Sequence, residues 1–149
     1  MSIPREGSRD TSVGIIVSIT PDVCKTPVGS SLVPIPYSIT AIQGDDANTV
    51  ATVRMTSKRA HNMASLVTKC TGDAPGTGLG IKSGTVGSVC HPESHSNSVR
   101  IRGEWAIRDN DMWNMNNRNT VGKLVYIENR NVDEDTPAIR LAKSPYIHE

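Results

Sequence analysis

Polar and apolar positions alternate over short distances along this chain. "SVRIRGEWAI" (98–107) sets Val99 and Ile101 opposite Arg100 and Arg102, and "NTVATVRM" (48–55) sets Val50, Thr52 and Arg54 opposite Ala51, Val53 and Met55. A period of two marks a strand with one face on a core and the other in water. Further short runs, "SVGIIVSI" (12–19), "VPIPYSI" (33–39), "GTVGSV" (84–89) and "GKLVYIE" (122–128), are separated by turn clusters such as "TPVGSS", "QGDDAN", "HPESHSNS", "RDND" and "NNRN". Strands of this length with Gly, Asn, Asp and Pro between them predict an all-β chain. The nearest approach to a helical pattern is "RAHNMASLVTKC" (59–70), and its "SLVT" reads equally well as a strand, so little helix is expected. Pro34 and Pro36 donate no ladder hydrogen bond, which makes "VPIPY" an edge strand or an extended crossing.

Composition sharpens this picture. The chain has 149 residues, no Phe and 3% aromatics, so one domain with a thin core is expected, its layers in close backbone approach. The tail, "NRNVDEDTPAIRLAKSPYIHE", is charged and aperiodic, which divides the chain into a folded unit at 1–128 and an arm at 129–149. Lys plus Arg number 16 against 15 Asp plus Glu, a formal net charge of +1. A near-neutral, mixed surface does not point to nucleic acid. Three widely spaced cysteines form no disulfide framework. "VGIIV" is five residues long, too short for a signal peptide or a membrane span. Synthesis in the cytoplasm is therefore expected, with any export by a route that needs no cleavable signal.

Little in the sequence points to catalysis. "TGDAPGTGLGIKSG" (71–84) holds five glycines, but its lysine follows Ile81 and no helix follows, so neither a phosphate loop nor a dinucleotide fingerprint is met. There is no G-x-S-x-G elbow. The acid pairs fall in turn-like segments, where Asp commonly makes the turn itself. The chain is expected not to be an enzyme.

"VCHPESHS" (89–96) is the stretch with metal-ligand chemistry. It gathers Cys90, His91 and His95 in a chain with only four His and three Cys. Thiolate and imidazole are standard zinc ligands, and four of them close a structural site. His61, His91 and His95 with Cys90, or with Cys70 in its place, would supply such a set. In an extended strand Cys90 and His91 point to opposite faces, so both reach one ion only if the chain turns at Pro92. The spacing matches no named zinc-finger pattern, and the alternative is a small buried thiol beside loop histidines.

Several stretches together resemble the PAAR-like family. "PDVCKTPVGSSLVPIPYSIT" (21–40), "TGDAPGTGLGIKSG" (71–84), "VRIRG" (99–103), "RDND" (108–111) and "MNNRNT" (115–120) follow the order and spacing of its signature over about residues 12–125. The resemblance implies a small cone of short strands and hairpins with a pseudo-three-fold base. It also implies a structural role at the tip of a type VI secretion system or related contractile injection machine. There the tip caps a trimeric VgrG-like spike, one tip per trimer, and its apex makes transient contact with the target membrane. An effector or its chaperone is a further implied partner, and export by the machine itself accords with the expected lack of a signal. Zinc held near the apex by three His and one Cys is the implied metal, here expected as a structural site at His61, Cys90, His91 and His95. Where many relatives carry histidines near the closing aspartate, this chain has Asp109, Asn110, Asn114 and Asn117, so the ligands are expected to have moved to "CHPESH". Cys24, within the signature, either provides a thiolate or packs in its turn. Two other readings remain open. One is a metal-dependent hydrolase using His91, His95 and Asp73 or Asp111. The other is an effector adaptor docking through 129–149.

Overall fold

The structure is a computed structural model that describes residues 5–126 and the strand at 146–147. In chain order its strands are β1 (Arg5–Glu6), β2 (Gly14–Ser18), β3 (Asp22–Val28), β4 (Ser31–Tyr37), β5 (Thr40–Ile42), β6 (Asp46–Ala47), β7 (Val50–Met55), β8 (Lys58–Ala60), β9 (Leu66–Val67), β10 (His91–Pro92), β11 (Arg100–Ile101), β12 (Glu104–Trp105), β13 (Met112–Met115), β14 (Thr120–Tyr126) and β15 (Tyr146–Ile147). Among the described residues there is no helix, so the segment 59–70 forms β8, an isolated bridge at Asn62 and β9 instead. The expected arm at 129–149 lies outside the described residues except for the backbone of β15, which pairs antiparallel with β1.

An antiparallel five-stranded sheet in the order β10-β13-β14-β2-β5 carries the core. Its two central partners, β14 and β2, pair from Gly122↔Ser18 to Tyr126↔Gly14. Alternation places Ile16, Trp113, Met115 and Leu124 inward, all fully buried. Ile39, Ala41, Val67, Cys70, Cys90 and Ile107 complete the cluster. Trp113 is the largest buried side chain, so one indole fills the centre of an interior otherwise built from aliphatic and sulfur side chains. A smaller cluster of Val50, Ala60, Ile101 and Ala106 lies under the hairpins β7–β8 and β11–β12.

Tight hairpins account for most differences from the sequence pattern. "SVRIRGEWAI" is two short strands, because Arg102 (φ 54°) and Gly103 (φ 86°) form a left-handed two-residue turn. Thr56 (φ 50°) and Ser57 (φ 67°) turn β7 into β8 in the same way, with no glycine to announce it. A register shift between Val50 and Arg54 also breaks the alternation of β7. "GTVGSV" forms no strand, since Gly84 and Gly87 both have positive φ. "VPIPY" does form an edge: among the described residues β4 pairs only with β3, over Asp22↔Tyr37 to Val28↔Ser31.

The buried sheet face sets the stability of the domain. Leu124→Ala removes a fully buried side chain beside Ile16 and Trp113, and the expected cost is about 3 kcal/mol. The exposed Val33→Ala on β4 is expected to change stability by less than about 0.5 kcal/mol. Urea unfolding of the two variants, followed by Trp fluorescence, checks the contrast.

Candidate metal centre

Strand period brings two of the site's side chains to one face. Asp22, Cys24 and Thr26 alternate inward along β3 and are buried, while Lys25 points to solvent. The loop after Thr71 adds Asp73, also buried. One donor atom from each of Asp22, Cys24 and Asp73 lies within 4.8 Å of the others, and this is the sole such group of three or more His, Cys, Asp or Glu among the described residues.

The "MNNRNT" turn between β13 and β14 supports the group from the other side. Asn116 (φ 49°), Asn117 (φ 50°) and Arg118 (φ 71°) are three successive left-handed residues, a conformation Asn tolerates better than most residue types. The turn aims two buried amides at Asp22. Asn116 Nδ2 donates to both Asp22 oxygens at 3.2 and 3.3 Å, and Asn119 Nδ2 donates to Oδ1 at 2.5 Å. The amide oxygens face outward to the next loop: Asn119 Oδ1 accepts from the backbone N–H of Lys82 and Ser83, and Asn116 Oδ1 from that of Ser88. Asp73 Oδ2 accepts from Gly87 N–H at 3.0 Å. The Cys24 thiol donates to Asp22 Oδ2 at 3.6 Å.

Glycine lets these pieces approach. A Cβ on Gly76 would collide with Cys24 Cβ, and one on Gly80 would overlap the Asn119 side chain. The glycine-rich stretch is a run of turns that meets β3 at one isolated bridge, Cys24↔Gly80, with Lys25 N–H donating to Leu79 O and Ile81 N–H to Val23 O.

Burial shapes the chemistry of the group. Asp73 is pushed up to about 6, first by burial and then by its hydrogen bond to Asp22, against the opposing Gly87 N–H. The Cys24 thiol is pushed up to about 12 by burial, and by the Asp22 and Asp73 charges after it. Two carboxyl groups and a thiol in one dry space favour either retained protons or a bound cation.

The structure does not bring His61, Cys90, His91 and His95 together into a comparable group. His61 is fully buried with both ring nitrogens engaged, Nδ1 with Ser8 Oγ at 2.7 Å and Nε2 with Asp46 Oδ2 at 2.5 Å. His95 Nδ1 donates to Ser96 O at 2.8 Å, and its ring stacks on Trp105 with centroids 5.5 Å apart. Cys90 is in the core beside Cys70, whose thiol is raised by its hydrogen bond to Cys90 and by burial. His91 follows Cys90 on an extended strand, so it points the other way and is half-buried, its pKa lowered by burial and by Arg118. The chain does not turn at Pro92 but continues β10, which is the physical reason the pair separates.

Nor do the residues named for hydrolysis converge. Asp111 is clamped by Arg108, which donates from its backbone N–H at 2.7 Å and its Nε at 3.0 Å to Oδ2, while Asp73 belongs to the Cys24 group. Ser8, His61 and Asp46 do stand in a hydrogen-bonded row. However, Ser8 is fully buried and also accepts from Gln43 Nε2 at 2.5 Å, so the row has no open hydroxyl for a substrate.

The toxin PAAR-like domain signature matches residues 15–122, a span that takes in "PDVC", "TGD" and "MNNRNT". The chain belongs to the toxin PAAR-like domain family. No curated protein and no solved structure matches it at a significant level. Within this PAAR-like domain the matched region runs from β2 into β14 and includes Asp22, Cys24, Asp73, Asn116 and Asn119. Sequence reasoning weighed Cys24 as a thiolate but passed over Asp22 and the two asparagines. The available signals were the Asp-x-Cys spacing, which puts both side chains on one strand face, and the Asn-x-x-Asn spacing in a turn.

The donor set bears on which metal the domain could take. Thiolate and carboxylate oxygen both suit zinc, and all three donors are buried. The set differs from three His and one Cys, because no imidazole reaches it. With a metal bound, Asp22, Cys24 and Asp73 would hold it, and the ion would neutralise the two carboxylates and tie β3 to the 73–88 loop.

A pH dependence follows for the metal-free chain. The folded-state value of Asp73, about 6, lies above its usual 3.8. Between these values the folded chain holds a proton that the unfolded chain has lost. Stability from this group is therefore complete below about pH 4 and falls as pH rises through about 6, by about 3 kcal/mol in all. In Asp73→Asn this component disappears. Guanidinium unfolding of both proteins with chelator present, from about pH 4 to 7, measures it; a wild-type-minus-variant difference that stays constant with pH would rule it out.

Proposed function

We propose that this PAAR-like domain is a non-catalytic tip that caps the trimeric VgrG-like spike of a type VI secretion or related contractile injection system. The observation that carries this reading is the family match over residues 15–122, from a family of spike-associated and toxin-related domains. The architecture supports it. Short strands and hairpins, a small core and a side-chain network that pins three segments together suit a compact part that must stay folded under mechanical load. The buried Ser8–His61–Asp46 row has structural partners on both sides, which accords with a part that performs no chemistry. A conical outline with a pseudo-three-fold base, contact of the apex with a target membrane, and carriage of an effector belong to the same reading. So does assembly from the cytoplasm onto the apparatus.

Co-expression with a trimeric spike protein tests the central statement. The expected result is a complex with one copy of this chain per spike trimer by native mass spectrometry. A well-folded chain that fails to associate with a trimeric spike protein of its own organism would overturn the proposal.

Zinc is part of the proposal, with Asp22, Cys24 and Asp73 as three of its ligands in place of the histidine set. Metal analysis of the purified chain is expected to find about one zinc per molecule. Cys24→Ala is expected to lose it together with several degrees of melting temperature, whereas His91→Ala and His95→Ala keep it. Retention in Cys24→Ala with loss in the histidine variants would return the site to "CHPESH".

A further inference from the structure

A groove of about 340 Å³ opens between the β2–β3 connection, the 81–82 segment and the β13–β14 turn. Pro21, Val23, Ile81 and Val121 give it apolar walls, and Lys82 and Arg118 are its charged residues. Ile81 is 50% exposed, as is neighbouring Ile19. Ile81 is thus a large aliphatic side chain of the groove wall held out in water.

The groove's charge is one-sided. No Asp or Glu is among the residues that line it. Asp22 is the nearest acid in sequence, but it is fully buried and bonded to Asn116 and Asn119. Among the described residues the ion pairs are formed by Arg5, Arg9, His61 and Arg108, and neither Lys82 nor Arg118 takes part. Two exposed cations beside an apolar wall attract a carboxylate whose neighbouring side chain is aliphatic.

The two cations are also held in a fixed relation. Arg118 precedes Asn119, and Asn119 Oδ1 accepts the N–H of both Lys82 and Ser83 at 2.9 and 3.1 Å. Asn119 is itself buried and fastened to Asp22 and to Val23 O. One buried amide thus sets the spacing of the cation-bearing backbones. Such preorganisation lowers the ordering cost of binding a group that fits between them. A lipid surface would exploit neither the concavity nor the fixed spacing. A protein segment uses both.

The apolar character continues away from the groove. Segment 79–81 lies along β3 with Leu79, itself exposed, bonded to Lys25, and the hairpin's Val28 and Leu32 are 53% and 56% exposed. Pro34 and Pro36 lack N–H groups on this hairpin's outer strand, so its free edge is poorly suited to strand addition. Recognition here depends on side chains.

We propose that this groove docks an acidic, aliphatic-flanked segment of a protein partner, with a carboxylate between Lys82 and Arg118 and an aliphatic side chain against Ile81 and Pro21. This goes beyond capping of a spike and stands whether or not the domain sits on one.

The test pans a displayed random-peptide library against the full chain and against a Lys82→Glu/Arg118→Glu double variant. Both positions are exposed, and an unchanged melting temperature verifies that the variant is folded. Wild type is expected to enrich peptides with Asp or Glu beside Leu, Ile or Val. The leading synthetic peptide, measured by fluorescence anisotropy, is expected to bind the double variant at least about tenfold more weakly and to lose affinity as salt is raised. Ile81→Ala is expected to weaken binding without altering the salt dependence. Absence of enrichment, or equal binding by the double variant, overturns the proposal. So does partition onto phosphatidylglycerol vesicles that the double variant abolishes while no peptide binds, which would assign the surface to lipid. Capture of inorganic phosphate with no preference among peptides overturns it as well.

Discussion

A buried carboxylate with nowhere to go is the constraint on which this end of the molecule depends. Asp22 sits on β3 with no access to water, and leaving it unpaired would be costly. Its needs are met by Asn116 and Asn119 from the far end of the chain and by the Cys24 thiol two residues on. Those asparagines in turn take the backbone N–H groups of Lys82, Ser83 and Ser88. One carboxyl group thereby organises three segments. The left-handed turn at Asn116–Arg118, the close passage of Gly76 and Gly80 and the path of the 73–88 loop all serve that arrangement.

The same economy runs through the rest of the fold. With no Phe in the chain and Trp113 at the centre of a small core, buried polar rows carry part of the load elsewhere filled by aromatic packing. The row Asp46–His61–Ser8–Gln43–Tyr126 crosses from β6 to β14 and ends on Gly7 O. Fully satisfied polar networks of this kind specify a single arrangement more sharply than aliphatic contacts do. They also explain why imidazole and hydroxyl groups that look chemically capable in the sequence have structural work here. The groove at Lys82 and Arg118 is different: its charged groups are exposed and face no acid, and its aliphatic wall is left open. Inside the domain most buried polar groups have partners, with Trp113 Nε1 and His91 Nδ1 among the exceptions, whereas the groove leaves its cations on the outer face.

How much could be read beforehand varied with the local signal. β2, β7 and β14 were legible because apolar runs or alternation survive in "GIIV", "TVATVRM" and "KLVY". β13 was hidden. "MWNM" lies between "RDND" and "NNRN", and its polar surroundings read as turn although Trp113 and Met115 are the buried residues. β3 was hidden too, since "PDVCKTP" has a proline at each end and alternates acid, thiol and hydroxyl inward in place of aliphatic groups. The hairpin turns at Thr56–Ser57 and Arg102–Gly103 carry no Asn-Gly or Asp-Gly signal, so the strand breaks there depend on tertiary packing.

The sequence by itself determined that the chain is all-β, that its proline-bearing hairpin stays at an edge, and that its motifs belong to the PAAR-like family. Period-two patterning, proline's missing donor and ordered signatures are local properties, and they survive without coordinates. Only the tertiary structure decided which thiol meets which acid. Cys90 and His91 are adjacent in sequence, yet Cys90 is buried in the core and His91 only half-buried at the start of β10, whereas Cys24 and Asp73, 49 residues apart, share one buried space. Strand geometry separates neighbours and loop closure joins distant residues, so crowding along the chain was a poor guide to crowding in space.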